Sequence, residues 1–441
     1  MVELAILTPL AAAVAILKSG EESDVRRIAA ATIAATLLAT LEILRQVLGS
    51  ADGAVNGLGE LPLFRADRLG ATSMALFAVL SLVTVAAAPR RDCDRRFLSR
   101  VLVLVGASLA AYAAGSMIVF GIAWLAAAAV SKLSRTIRIA AGVSMAAGVV
   151  LLEVQGPGPA AFTALIVAAA LQSGLFPAHR FAIEALDRGP ILLTALSMNS
   201  LLGAFLMARA TQTLFPEMAD GVRPWIGALT LFTCAYSALL GLAERDPRRL
   251  LTILMVGQTA AIFGGLGSGS AEGNSGALVQ WVALAFGSTA MVVVYRSIEV
   301  RLAGNPGPLR FLGLASQAPR LAVFFAAGGL ALIGIPGTPG FAGQHLLVHG
   351  ALVVHSWWGV ALPAALAINA YHVYILFTHL FLGRPVFRNT VADALPRERW
   401  ALTALIILLL GGGLFPGWLA ALREPATLLQ VQNRAVLLLR P

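Results

Sequence analysis

The stretch Leu165-Ile166-Val167-Ala168-Ala169-Ala170-Leu171-Gln172-Ser173-Gly174-Leu175-Phe176-Pro177-Ala178-His179-Arg180-Phe181 is apolar and uncharged up to His179, and Gly174 and Pro177 interrupt it. A helix in lipid tolerates such a break only where the freed backbone groups face protein or a water-lined cavity. A second interruption, Ile335-Pro336-Gly337-Thr338-Pro339-Gly340, lies far along the chain. Two widely separated breaks mark a transport path, as in transporters built from repeated halves. Gly189-Pro190 and Phe415-Pro416-Gly417 also punctuate apolar runs, and the latter reads as an ordinary turn between helices.

Outward from these breaks the chain is hydrophobic throughout. Apolar runs fall at 4–17, 28–48, 69–88, 97–131, 139–153, 160–176, 190–214, 224–243, 250–267, 277–295, 321–336, 341–361, 362–382 and 400–422. At roughly 20 apolar residues per crossing, the reading is an all-α polytopic bundle of about 12–14 transmembrane helices, two of them broken near 177 and 336–340. The run 97–131 holds two helices with a turn at Gly115-Ser116, and 4–17 reads as a retained first helix because no basic segment precedes it. The whole of 1–441 is expected to form one transmembrane domain.

Of the 441 residues 58% are hydrophobic and 12% charged, against about a quarter charged in a soluble domain, so no water-facing body is expected. The 32 basic and 22 acidic residues leave a net charge of +10. The arginines lie between apolar runs, which fits topogenic and lipid-headgroup contacts and excludes a nucleic-acid surface. The connectors 90–100 and 245–249 are arginine-rich and are expected on one, cytoplasmic, side. Cys93 and Cys234 form no metal or disulfide pattern. Gly264-Gly265-Leu266-Gly267 lacks a following Lys-Ser/Thr, so 264–276 reads as a flexible loop; no soluble enzyme site and no cofactor motif is visible.

The segment 172–181, with Glu184-Ala185-Leu186, resembles the broken seventh helix of the antiporter-like subunits of respiratory complex I and the multisubunit cation/proton antiporters. Phe64…Asp67-Arg68-Leu69, Asp246-Pro247-Arg248-Arg249-Leu250-Leu251…Gly257-Gln258 and Gly334 to Gln344 match the same family in order. Arg180, Ser197-Met198-Asn199 and Gly203 are similar to the membrane subunit of DAB-type inorganic carbon transporters. That resemblance implies a multi-pass subunit of the bacterial inner (cytoplasmic) membrane, coupling proton movement to inorganic carbon uptake with a peripheral zinc-containing β-carbonic-anhydrase-like partner. The alternatives are a proton-translocating subunit of a respiratory or hydrogenase-type complex, with other membrane subunits as partners, and a scaffold that has lost transport.

The family moves protons through buried lysines and a glutamate, and the resemblance places neutral residues at those positions here. Gln172 replaces the lysine of the first break and Gln344 the charge of the second; the glutamate falls near Leu125, after Trp124, and the eighth-helix lysine near Gly287 or Ser288. A glutamine hydrogen-bonds but does not titrate. The remaining ionisable candidates are His179, Glu184, His345, His349 and His372. His345 and His349, at i and i+4, share a helix face, and imidazole titrates near neutrality. They are therefore expected to border a hydrated path with His179, with Glu184 placed to orient His179. No third or fourth ligand accompanies the histidine pair, so no metal is expected on this chain.

Overall fold

The computed structural model describes residues 1–18, 25–58, 63–131, 134–354, 358–386 and 391–414. The turn at Phe415-Pro416-Gly417, part of the 18–27 connector and His355 lie outside them. The elements are α1 (Val2–Lys18), α2 (Val25–Gly49), a hairpin of β1 (Ala54–Asn56) and β2 (Arg65–Asp67), α3 (Arg68–Ala87), α4 (Arg95–Tyr112), α5 (Met117–Val130) and α6 (Arg135–Gln155). Then follow α7 (Pro159–Gln172), α8 (His179–Arg188), α9 (Ile191–Asn199), α10 (Leu202–Arg209), α11 (Pro216–Ala243), α12 (Pro247–Ser268) and α13 (Ala271–Arg301). The series closes with α14 (Pro319–Leu332), α15 (Pro339–Val354), α16 (Trp358–Phe381) and α17 (Pro396–Leu414). Among the described residues eight helical stretches are long and apolar enough to cross a membrane, one of them, 191–214, made of α9 and α10 together. The chain is a polytopic all-α membrane protein.

Polar caps start the helices where the apolar runs begin. Asp67, Asp94 and Asp246 accept backbone N–H bonds from Gly70, Phe97 and Arg248 at 2.9, 2.8 and 2.8 Å, which satisfies donors that lipid cannot. The spans of α12 and α13 are 94% buried, whereas those of α2 and α6 are 28% buried. The former therefore form the centre and the latter the rim.

Among the described residues three helices are interrupted, and two of the interruptions share one hydrogen-bonded turn. Ser173, Gly174, Leu175, Ala178 and Phe181 donate their N–H groups to Ala169, Leu171, Ala170, Leu175 and Ala178. Ile333, Gly334, Ile335, Thr338 and Phe341, each 160 positions later, donate to Gly329, Ala331, Leu330, Ile335 and Thr338. Gly174 and Gly334 occupy the left-handed region at φ 72° and 80°, which a Cβ would oppose. The turn is used in opposite senses: α8 ends, and α14 begins, at the arginine-rich end of the bundle. There the Asp187 carbonyl meets Arg248, and Asp393 accepts from the backbone of Leu321 while its carbonyl accepts from Arg301. The third interruption, at Ser200-Leu201, splits the run 190–214 that sequence reads as one helix. No glycine or proline marks it; Leu201 takes φ 47°, and the Tyr112 hydroxyl donates to the Ser200 carbonyl.

The arginine-rich connectors meet at one end of the bundle. Arg296 pairs with Asp92 and with Glu299 (2.9 Å), and Glu299 accepts from Arg248 (2.7 Å). Asp187 pairs with Arg249 at 3.0 Å rather than with neighbouring Arg188. At the opposite end Arg209 grips Asp67 through two bonds of 2.6 Å. The expected loop over 264–276 is almost wholly helical: α12 continues to Ser268 and α13 starts at Ala271, with Gly269 at φ 73° making the turn.

Candidate functional site

At the first interruption the freed Phe176 N–H donates to the Thr233 hydroxyl of α11 at 3.2 Å. This is the kind of tertiary partner a broken membrane helix requires. His179 stacks on Phe176 (ring centroids 5.5 Å) and meets Tyr236 edge-on at 4.9 Å, and its Nδ1 has no hydrogen-bond partner. Glu184 does not orient it. Glu184 lies 3.8 Å from Arg180 one turn away. Gln172 ends α7 with its Oε1 buried and unpartnered. At the second interruption Gln344 donates to the Leu332 carbonyl at 3.1 Å, closing the last turn of α14 from across the break.

The histidine face of α15 lies on the outer side of the bundle. His345 and His349 are exposed and touch each other at 4.6 Å between centroids, with Phe341 stacked beside them. The i, i+4 spacing does bring them together, and His345 stacks on Phe341 at the end of the second turn, but both rings lie on the exposed side of α15. His372, by contrast, is fully buried on α16.

Between the breaks the apolar interior holds uncharged polar clusters among the described residues. Asn199, at the third interruption, accepts from Ser288 (3.0 Å) and donates to Thr289 (2.9 Å) and the Ala285 carbonyl (3.4 Å). Gln280 of α13 donates to Gln258 of α12 at 2.7 Å, both side chains being fully buried. Gly343, beside Gln344, packs on Gln280: a Cβ there would lie 2.9 Å from Oε1. The buried carboxylates Glu299 and Glu398 sit at the bundle's end, paired with arginines. Gln280 and Asn369 carried no motif in the sequence. The available signal was a lone amide inside an otherwise apolar run, opposite a glycine on a neighbouring helix.

Gly287 and Ser288, which the resemblance set at the eighth-helix lysine, lie on α13 rather than on the eighth passage, which is α9 with α10. A side chain at Gly287 would meet the Gly328 carbonyl at 2.7 Å, so Ser288 is the polar position. Leu125 lies 43% exposed on α5, away from Asn199 and the paired glutamines.

Residues 103–368 match the sequence profile of the NADH:quinone oxidoreductase/Mrp antiporter transmembrane family. The chain belongs to this family. As a member of the NADH:quinone oxidoreductase/Mrp antiporter family it is 24% identical over 282 residues to NADH-quinone oxidoreductase subunit M of Rhodobacter capsulatus, covering 62% of this chain and 54% of that protein. It is 26% identical over 281 residues to subunit M of Mycobacterium tuberculosis, covering 62% and 50%. The chain thus spans about half the length of these relatives. In fold it is similar to a chain of respiratory complex I from Thermus thermophilus, with a TM-score of 0.86 at 22% identity over 97% of this chain and 99% of that one. It is also similar to a chain of the Mrp complex from a Dietzia species, with a TM-score of 0.83 at 18% identity over 97% and 98%. The more specific resemblance to DAB-type carbon transporters has no counterpart among these matches.

Proposed function

We propose that this chain is a membrane subunit of a multi-subunit respiratory or cation/proton antiporter complex in the bacterial inner membrane. Protons cross it along neutral polar side chains, with His179 as the titrating group at the first break. The observation that carries this reading is the pair of uncharged buried clusters in an antiporter-family fold, Asn199 with Ser288 and Thr289 and Gln258 with Gln280, with half-buried Gln344 at the second break. A fixed charge at mid-membrane costs a few kcal/mol, whereas amides and hydroxyls hold water through hydrogen bonds and leave the charge to be carried through. His345 and His349 face outward and are left off the route.

Carbon uptake is the second reading. Of the residues that carried that resemblance, Asn199 precedes the third interruption and Gly203 lies in the first turn of α10. Gly203 packs there so closely on α7 that a Cβ would lie 2.7 Å from the Ala169 carbonyl. The partner would then be a peripheral zinc-containing β-carbonic-anhydrase-like subunit.

Purification of the tagged chain from its native membranes, with identification of the stoichiometric companions, separates the two. Quinone-module or antiporter subunits support the first reading and a zinc protein the second. Proton flux into vesicles bearing the purified complex, read with a pH dye under an imposed potential, tests conduction. Flux that His179→Gln leaves unchanged removes His179 from the route, and no flux at all leaves only the scaffold role.

A further inference from the structure

A further polar cluster lies beside the paired glutamines just described, and its argument does not depend on what the complex does. Asn369 and His372 stand at i and i+3 on α16, both fully buried. Asn369 Oδ1 and Nδ2 and the Nε2 of Gln258 lack a hydrogen-bond partner within the protein, and the His372 ring has only the Ala238 backbone beside it as a polar neighbour. Leaving these buried polar atoms unpaired would cost about 1–3 kcal/mol each, a sizeable share of the net stability of a folded chain.

The helices around the cluster are shaped to admit polar atoms. A Cβ at Gly257 of α12 would lie 3.0 Å from Asn369 Nδ2 and 2.7 Å from the Ser237 hydroxyl. A Cβ at Gly241 of α11 would lie 2.7 Å from His372 Nε2. Ser237 spends its hydrogen on the Cys234 carbonyl at 2.9 Å and keeps its lone pairs. Ser237, Ala238, Gly241, Gly257 and Gln258, which meet the cluster from α11 and α12, carry no ionisable group.

We infer that Asn369, His372, Ser237 and Gln258 line a buried water-binding site that extends from the paired glutamines toward the arginine-rich end of the bundle. Water matches this set of groups. It needs two to four polar partners offering both donors and acceptors, and the site offers the Asn369 amide oxygen and nitrogen, the Gln258 amide nitrogen, an imidazole nitrogen and a hydroxyl lone pair. The site holds no carboxylate or thiolate to favour a metal. Direction follows from the chain: Gln280 meets Gln258, Gly257 beside it meets Asn369, and His372 meets Gly241, one turn before the 245–249 connector.

Hydroxyl-radical labelling of the full-length chain in lipid nanodiscs, carried out by X-ray radiolysis in heavy-oxygen water and read by mass spectrometry, tests the site. Radicals form from bound water, so His372 should take up label faster than Met291. Met291 is equally buried and packs on Gly328 and Gly329, although a thioether is intrinsically the more reactive group. Asn369→Leu should lower His372 labelling by about fivefold, the occupancy change for losing one hydrogen bond of ordinary strength. Should that variant fail to insert, Ser237→Ala provides the same comparison. His372 labelling no faster than that of Met291 in the unaltered chain means a dry site and overturns the inference, as does labelling that neither substitution changes.

Discussion

Glu299 is the junction of the arginine-rich end, and removing its carboxylate tests whether that end is a buried ionic cluster or a solvated one. It is 1% exposed and accepts two bonds from Arg248 and one from Arg296. In Glu299→Ala, Arg296 keeps Asp92, whereas Arg248 keeps only the Asp187 carbonyl. One guanidinium is therefore orphaned rather than two, which puts the cost near the lower end of the range for breaking a buried pair, about 3 kcal/mol. Glu299→Gln retains an acceptor and should cost roughly half as much, about 1.5 kcal/mol. The assay is reversible unfolding in mixed micelles with increasing dodecyl sulfate. Arg320→Ala, which breaks a pair at 3.9 Å involving a side chain 57% exposed, serves as the reference and should show no resolvable change. A Glu299→Ala loss no larger than that of Arg320→Ala would refute the reasoning.

Other expectations concern topology, reactivity and the central clusters. Cysteines placed at exposed Arg90 and Arg245 should both resist an impermeant maleimide added outside intact cells and both react in inverted vesicles; opposite behaviour at the two sites contradicts the packing of their connectors together. Burial pushes the Cys93 thiol above its ordinary range, with Asp92 and Asp94 adding to the shift against Arg26 and Arg397. The thiolate is the reactive form, so maleimide labelling of Cys93 should be slow at neutral pH and accelerate only at a more alkaline pH than for an ordinary thiol; a rate equal to that of a free thiol at neutral pH counts against this. Asn199→Leu removes three hydrogen bonds and should cost about 1–2 kcal/mol, the upper range for interhelical polar contacts in membranes; a stabilised variant in the micelle assay would show that the amide is poorly satisfied.

Two of the three interruptions were legible in the sequence because glycine and proline write them locally. The third was not: Ser200-Leu201 has no breaker, and the bond from Tyr112 that accompanies it comes from 88 positions away. The turn at Gly115-Ser116 and the shared location of the 90–100 and 245–249 connectors were read correctly from residue type and charge. Histidine roles were harder to read. Helical spacing places His345 and His349 together but does not say which way their face points, and it points outward. Glu184 was assigned to His179 by proximity in sequence, yet Arg180, on the same helix one turn away, offers it an opposite charge. The polar clusters escaped because hydropathy treats Gln280 and Asn369 as blemishes in apolar runs; their meaning lies in the glycines of α15 and α12 that face them.

The repeated turn has an electrical consequence. Each interrupted helix ends one half and starts the next inside the bundle, presenting about half a negative charge from the first half's carbonyls and half a positive charge from the second half's amides. Because the copies at 173–181 and 333–341 run in opposite senses across the bilayer, their dipoles oppose one another. A membrane potential that favours the orientation of one interrupted helix disfavours that of the other. The two contributions offset in the bundle as a whole, so the voltage acts on the difference between the two turns rather than on their sum.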